Sequence, residues 1–451
     1  MNSRGENHKA LGTEKISKLL LRLSAPAALG MFVNGLYNIV DTIFLGHGVG
    51  YLAIGGLAIA FPIQITVLAI GLMIGQGAAS IVSRALGRKN FEKADITAGN
   101  ALLLAAFFGI AVALLGKFFI DPLLIAFGAT KTLMPYARDY LSIVLYGSAF
   151  FASTVCANNL VRAEGNAKTA MTAMIIGAGM NIVLDPIFIF GFGLGIKGAA
   201  IATVLSQLFG FTYLLSYLAT GKSSFEFKLH HFKIKTKVIK EIFFIGMAPL
   251  FRSLGIIIMI IVVNNSLRFY GDDLSISIFG LIMRALMFVQ MPMIGLLQGF
   301  MPIVGYNFGA HNLGRVKQVL KLALSAISLY CVVFSALILL FPTVILKVFS
   351  SDPELIAQGT LPLRLIVAAF SFVGLQIIGA GFFQALGKAL PAMLLTMSRQ
   401  ILLLVPLILI LPIYFGILGI WLAFPLTDIL TVSLTWILLF IELKRIKLLK
   451  A

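Results

Sequence analysis

The chain has 451 residues, of which 60% are hydrophobic and only 12% charged, with a formal net charge of +18. An ordinary soluble domain carries about a quarter charged residues, so this composition excludes one. The basic excess invites a nucleic-acid reading, and the placement of the 35 lysines and arginines decides against it.

A membrane-crossing helix needs about 20 apolar residues. Twelve such stretches follow one another, at roughly 16–45, 52–83, 94–118, 132–157, 169–191, 196–220, 241–268, 275–306, 316–346, 356–383, 390–413 and 416–442. Several exceed the minimum, which predicts tilt or extension beyond the bilayer. The first 15 residues are polar and lack a basic, apolar and small-residue signal sequence, so insertion is expected to rely on the first span.

The first span holds Pro26 and then a stripe, Asn34, Tyr37, Asn38 and Asp41, whose spacing of three and four places it on one helical face. The fifth span holds Asn181 and Asp185 one turn apart, followed by Pro186. A charged carboxylate near the bilayer centre costs at least about 2.5–3.5 kcal/mol, so such residues default to a functional reading. Structural readings compete. Gly46, His47 and Gly48 follow Asp41 closely enough to place it at an interface, and Asp185 is positioned to cap a helix broken by Pro186. Proline inside a membrane helix makes a kink, either a static one or a place to bend; Pro26 in SAP has a near-equivalent in Pro249 in MAP.

Residues 221–240, GKSSFEFKLHHFKIKTKVIK, form the longest polar interruption. They read as a basic tether on an anionic leaflet or as a regulatory segment. Later spans carry Arg252, Arg284, Arg399 and Asp428, and a pairing of Arg252 or Arg284 with Asp428 is expected to stabilise the bundle. Met283, Met287, Met291 and Met293 read as lipid-facing packing or as the lining of an adaptable apolar pocket. Cys156 and Cys331 sit in separate spans and read as small buried apolar residues.

The second half repeats the first. At a displacement of 222, residues 76–90 meet 298–312 with six identities in fifteen, and 163–171 meet 385–393 with five in nine. Two like-oriented halves in an apolar chain are how many transporters are built, with substrate between the halves. With the amino terminus inside, the inside segments carry 25 of the lysines and arginines and the outside loops seven. This asymmetry places both termini in the cytoplasm and removes the need for nucleic acid. The expected fold is an all-α membrane protein of twelve transmembrane helices in two pseudo-symmetric six-helix lobes. Its segments are a cytoplasmic 1–15, an amino lobe 16–220, a cytoplasmic linker 221–240, a carboxy lobe 241–443 and a cytoplasmic tail 444–451.

The sequence resembles the multidrug and toxin extrusion (MATE) transporters from about residue 14 to 445. The match rests on SAPAALGMFVNGLYNIVDTIFLG at 24–46, IVSRALGRKN at 81–90, RAEGNAKTAM at 162–171 and GMNIVLDPIFIFGFGLGIKGAAIATVLSQ at 179–207. YNFGAHN, FQALGKALPAM and SRQ in the second half add to the likeness with prokaryotic members. The resemblance implies a central cleft with alternating access, exporting amphiphilic, often cationic compounds against inward Na⁺ or H⁺. It also implies a coupling-cation site in the amino lobe, with Asp41, Asn181, Asp185 and Thr203 as ligands and Asn34, Tyr37 and Asn38 as neighbours. Carboxylate, amide and hydroxyl oxygens suit Na⁺, and a carboxylate suits a proton, so the residues serve either ion. One branch of the family places acidic residues in helices seven and ten, where this chain offers Arg252, Asn264 and Gln376; a carboxy-lobe cation site of that kind is not expected.

The chain is therefore expected to be a secondary antiporter of the cell membrane, functional as a monomer and without a cofactor. No G-x-x-x-x-G-K-[ST] loop for ATP is present. The alternatives are a lipid or lipid-linked glycan flippase, which the three span arginines would favour, and an intramembrane aspartyl protease. The protease reading fails on sequence, since NIV and IVL precede the two aspartates where that type carries Gly-x-Gly.

Overall fold

In the computed structural model, residues 7–350 and 352–448 are described, and all regular structure among them is helical. Twelve helical stretches are long and apolar enough to cross a membrane. Lipid offers no hydrogen bonds, so helices that satisfy their own backbone are the natural outcome of such a sequence.

The amino-terminal half contains α1 (Asn7–Thr13), α2 (Ile16–Gly48), α3 (Tyr51–Gly87), α4 (Phe91–Phe118), α5 (Ile120–Ala126), α6 (Met134–Ala163), α7 (Ala167–Pro186) and α8 (Gly195–Ala219). The carboxy-terminal half contains α9 (Thr236–Tyr270), α10 (Asp273–Gly309), α11 (Leu313–Leu340), α12 (Pro342–Phe349), α13 (Pro353–Val367), α14 (Val373–Ala385), α15 (Ala389–Met397), α16 (Val405–Phe415) and α17 (Ile417–Leu448). Within the first half α3, α4, α6, α7 and α8 pack on one another, and within the second α10, α11, α14 and α17 do the same. The two lobes meet where α10 packs on α2 and α3, and α3 on α9.

The repeat read from sequence extends to backbone detail. Helix α10 begins at 273 against 51 for α3 and ends at 309 against 87, a displacement of 222 at both ends. The following turns match as well. Among the described residues, Lys89 (φ 59°) and His311 (φ 56°) are the two non-glycine residues at positive φ. Asn90 and Asn312 then cap α4 and α11 by accepting from the backbone N–H of Lys93 and Arg315.

The lobes close on each other at the end where this turn lies, here the linker end, through glycines. A Cβ on Gly87 would strike the Tyr306 carbonyl, and one on Gly309 the Arg84 carbonyl, a reciprocal pair at the same displacement. Gly77 abuts Ile242 of α9, and its equivalent Gly299 abuts Ser24 of α2. Small residues let membrane helices approach to backbone contact, where dispersion replaces the missing hydrophobic drive. Polar side chains cross the same seam. Ser80 Oγ donates to the Gln384 carbonyl at 2.6 Å, Gln384 Nε2 to Gln76 Oε1 at 3.4 Å, and Arg162 to Gln298. Arg162 stands where Gln384 stands in the other lobe, and Gln298 where Gln76 stands.

The linker is not a loose tether. Ser223, Ser224, Phe225 and His231 are buried, and Asn100 of α4 donates to the carbonyls of His231 and Lys233, both at 3.1 Å. Glu164, in the turn after α6, is fully buried and accepts from Tyr217 Oη at 2.5 Å, Ser223 Oγ at 2.9 Å and the Ser224 backbone N–H at 2.6 Å. Burial pushes the Glu164 carboxyl up from 4.5 to about 7, against the lowering effect of these donors.

Two predictions follow from this packing. Gly87→Val forces α3 off α10 and should cost roughly 1–3 kcal/mol, read as a fall of several degrees in thermal midpoint in detergent; an unchanged midpoint refutes the close approach. Between the ordinary glutamate range and about pH 7 the folded chain keeps a proton on Glu164 that the unfolded chain has released. Its contribution to stability is therefore complete below that window and declines as pH rises through it. The drop in midpoint from pH 5 to pH 8 should be larger in wild type than in Glu164→Gln, and equal drops would refute the assignment.

Candidate functional site

The polar residues of the amino lobe converge in its half away from the linker end. Asp41 lies near the far end of α2, Asn181 and Asp185 in the last turns of α7, and Thr203 in the third turn of α8. All four are buried, with Asp185 at 0% exposure, Asn181 at 2% and Asp41 at 5%. The carboxyl groups of Asp41 and Asp185 are hydrogen-bonding neighbours, and Asn181 Nδ2 donates to Asp185 Oδ1 at 3.3 Å. The (i, i+4) spacing of Asn181 and Asp185 makes that contact inside one helix.

The end of α7 is shaped by Pro186. Proline cannot donate to the preceding turn, and the chain continues as a π-helical segment, Ile187–Gly191. The Phe192 N–H then reaches back to the Ile187 carbonyl at 2.9 Å. Such widened turns occur mostly as local insertions and often beside functional groups.

Tyr140 of α6, fully enclosed, was not singled out by sequence reasoning. It accepts from Gln64 Nε2 of α3 at 2.9 Å, hydrogen-bonds Thr203, and lies within electrostatic reach of Asp41 and Tyr37. Tyr140 and Gln64 have no spacing that singles them out from polar neighbours such as Asp139, Ser142 and Thr66, and only the packing of α3, α6 and α8 brings them to Asp41. Asn34 is exposed on α2 and Tyr37 half-buried, while the Asn38 side chain lies outside the described residues.

Three buried oxygens of this cluster, Asp41 Oδ1, Asn181 Oδ1 and Asp185 Oδ2, have no hydrogen-bond donor. Orphaned buried oxygens are rare and call for an explanation. Two carboxyls in contact need a proton or a cation between them, and carboxylate, amide and hydroxyl oxygens are the ligand set of a hard cation. The residues present fit that group.

The carboxy lobe has no counterpart. Displacement by 222 maps Asp41, Asp185, Asn181 and Gln64 onto Val263, Leu407, Leu403 and Leu286. Its buried charge is organised differently from the sequence expectation. Asp428 pairs with Arg399, Nε to Oδ1 at 2.8 Å, and not with Arg252 or Arg284. Arg399 lies in a second π-helical segment, Ser398–Leu404, which packs on α17; Arg284 is exposed. The methionines also divide. Met287 is exposed, whereas Met293 is buried and Met291 packs on Gly35 of α2. Pro26 sits inside an unbroken α2 close to the closing seam.

One further cluster lies at the linker. His230 and His231 each place Nε2 3.2 Å from an oxygen of Glu92. The Lys228 N–H donates to His231 Nδ1 at 3.2 Å, which assigns the ring proton to Nε2, donating to Glu92. Among the described residues this is the one His/Cys/Asp/Glu group with metal-ligand proximity, and its hydrogen bonds engage the atoms a metal would need. It clips the linker to α4.

Comparison with known proteins agrees with the fold. The MatE family model matches residues 26–187 and 245–410. The chain is 26% identical over 405 residues to the multidrug export protein MepA of Staphylococcus haemolyticus, covering 90% of this chain and 89% of that one. A solved structure described as the outward-facing conformation of a multidrug resistance MATE family transporter superimposes with a TM-score of 0.92 at 24% identity, over 98% of this chain and 99% of that one. A second solved chain, described only as "protein A", is 41% identical with a TM-score of 0.88, over 95% of this chain and 96% of that one. With a matching family model over both halves, twelve spans and a two-lobed fold, the chain belongs to the MatE family of membrane transporters.

Proposed function

We propose that the protein is a cation-coupled exporter of amphiphilic, often cationic compounds, working by alternating access in exchange for inward H⁺ or Na⁺. The observation that carries this reading is the buried Asp41–Asp185–Asn181 cluster with three oxygens lacking donors. The multidrug export role of its relative MepA supports the substrate class. The excess of lysine and arginine at the linker end supports a cytoplasmic face there, with both termini on the inner side of the cell membrane; we take a single chain to be sufficient.

The mechanism follows from where α2 runs. It carries Asp41 at one end and the seam residues Ser24 and Ala28 toward the other, about 20–25 Å away along the axis at roughly 1.5 Å per residue. A cation entering between Asp41 and Asp185 draws α2 toward α7. Because α2 also packs on Gly295 and Gly299 of α10, a shift of α2 changes the fit of the two lobes. Pro26 lies within the seam, between Ser24 and Ala28, where the missing N–H lowers the cost of bending. Coupling arises because cation and drug bind the two states with different affinity. Gln64 and Tyr140 hold Thr203 in place as the third side of the cation site. The flippase reading needs an unneutralised cationic cleft, and Arg399 is neutralised by Asp428.

In proteoliposomes, ethidium efflux should follow an imposed Na⁺ or pH gradient, and Asp41→Asn or Asp185→Asn should each lower the driven rate at least about tenfold while inserting normally. Efflux unchanged in both variants would sink the proposal. Asp428→Asn should behave in the opposite way. Leaving Arg399 uncompensated should destabilise the fold by about 3–5 kcal/mol, with driven efflux per folded molecule preserved. Loss of coupling in this variant would move the cation site to the carboxy lobe.

A further inference from the structure

The first helix of the chain lies across the closed seam. At seven residues α1 is too short to persist alone, and what holds it comes from both lobes. Toward the amino lobe, Asn7 Nδ2 donates to Tyr217 Oη at 3.2 Å, His8 Nδ1 pairs with Ser224 Oγ at 3.0 Å, and the His8 ring meets Phe91 edge-on at 5.5 Å. Toward the carboxy lobe, Asn307 Nδ2 donates to the Leu11 carbonyl at 2.8 Å, Arg315 Nη2 to the Glu14 carbonyl at 2.7 Å, and Gly12 rests on the Tyr306 ring.

The repeat sharpens the point. Displacing α1 by 222 lands on 229–235, which includes the linker's short 3₁₀ turn Leu229–Phe232. Each of these segments leads into the first helix of its lobe, and each docks on the other lobe. The linker turn, leading into α9, is held by Asn100 and Glu92 of the amino lobe. Helix α1, leading into α2, is held by Asn307 and Arg315 of the carboxy lobe. Arg315 occupies the place of Lys93 in the repeat. Leu11, together with Leu19, Leu20 and Leu23, is buried in the carboxy lobe's apolar core. Helix α1 also reaches back to its own lobe, through Asn7, His8 and the contact of Leu11 with Gly165.

We infer that α1 is an interlobe strap: docked on both lobes it holds the linker end closed, and in the native chain that end opens when α1 lets go of Tyr217 and Ser224 while staying on the carboxy lobe. The anchorage is unequal in the required direction. On the carboxy-lobe side Leu11 and Asn307 are fully buried; on the amino-lobe side the His8–Ser224 pair is buried and the Asn7 contacts are partly exposed. Letting go of the amino lobe breaks the side-chain hydrogen bonds of Asn7 and His8, whereas the carboxy-lobe hold continues into the buried leucines of α2, so the strap has a defined hinge side.

The inference rests on the alternating-access reading, and its test separates the two. Spin labels at Lys168 and Leu390, exposed and equivalent in the two lobes, report the linker-end separation by double electron–electron resonance in liposomes; both native cysteines are buried. Wild type should give one short distance. Asn7→Ala combined with His8→Ala should raise the long-distance population by about tenfold. Leu11→Asn, which frees the helix from the carboxy lobe, should raise it as well. A label at Thr13, exposed at the end of α1, read separately, should be immobile in the otherwise native chain. An unchanged distribution in both variants overturns the strap. Gradient-driven ethidium efflux by wild type, measured in parallel, then tells whether the exporter reading stands without it or falls too.

Discussion

Two carboxyl groups meeting in the interior of a lipid-immersed lobe set the terms for the rest of this molecule. Asp41 and Asp185 come from α2 and α7, are buried, and touch. Such a pair is tolerable only with a proton or cation between its members and with polar neighbours around it. The surrounding architecture supplies those neighbours. Asn181 stands one turn away on the same helix, the π-helical segment after Pro186 widens the end of α7, and Tyr140 and Gln64 bring the hydroxyl of Thr203 into the same network. The cluster is placed so that whatever occupies it acts on α2.

Helix α2 is also where the lobes touch. Backbone-level contacts at Gly77, Gly87, Gly295, Gly299 and Gly309 make the linker end a close fit. Close-packed interfaces respond to displacement by switching between discrete arrangements and not by stretching. The site and the seam occupy opposite ends of the same helix, which is the arrangement a coupled transporter needs. The repeat explains why the seam is reciprocal, since the same turn and the same glycines occur twice. The site is unique because the carboxy lobe has filled the equivalent positions with Val263, Leu403 and Leu407 and invested its buried charge in Arg399 and Asp428.

Both the amino-terminal helix and the linker, which sequence reads as polar peripheral segments, are folded parts of the closed end. Asn100, Glu92 and Glu164 hold the linker to the amino lobe. These are residues whose roles depend on partners more than 50 positions away, so no local pattern marks them.

Composition and periodicity alone determined the twelve spans, because burying about 20 apolar residues per helix leaves a signal that lipid makes unambiguous. The repeat was legible for a related reason: glycines and turn residues at backbone contacts tolerate little change. The Asn181–Asp185 pair and the α2 stripe could be read from helical spacing. Tertiary structure alone decided that Asp41 meets Asp185, that Tyr140 and Gln64 join them, and that Asp428 takes Arg399 in preference to Arg252 or Arg284. Those contacts lie between helices, and helical periodicity records which face a residue occupies without recording which helix faces it. The final pairings depend on rotation, depth and the two π-helical segments, and these are set by packing.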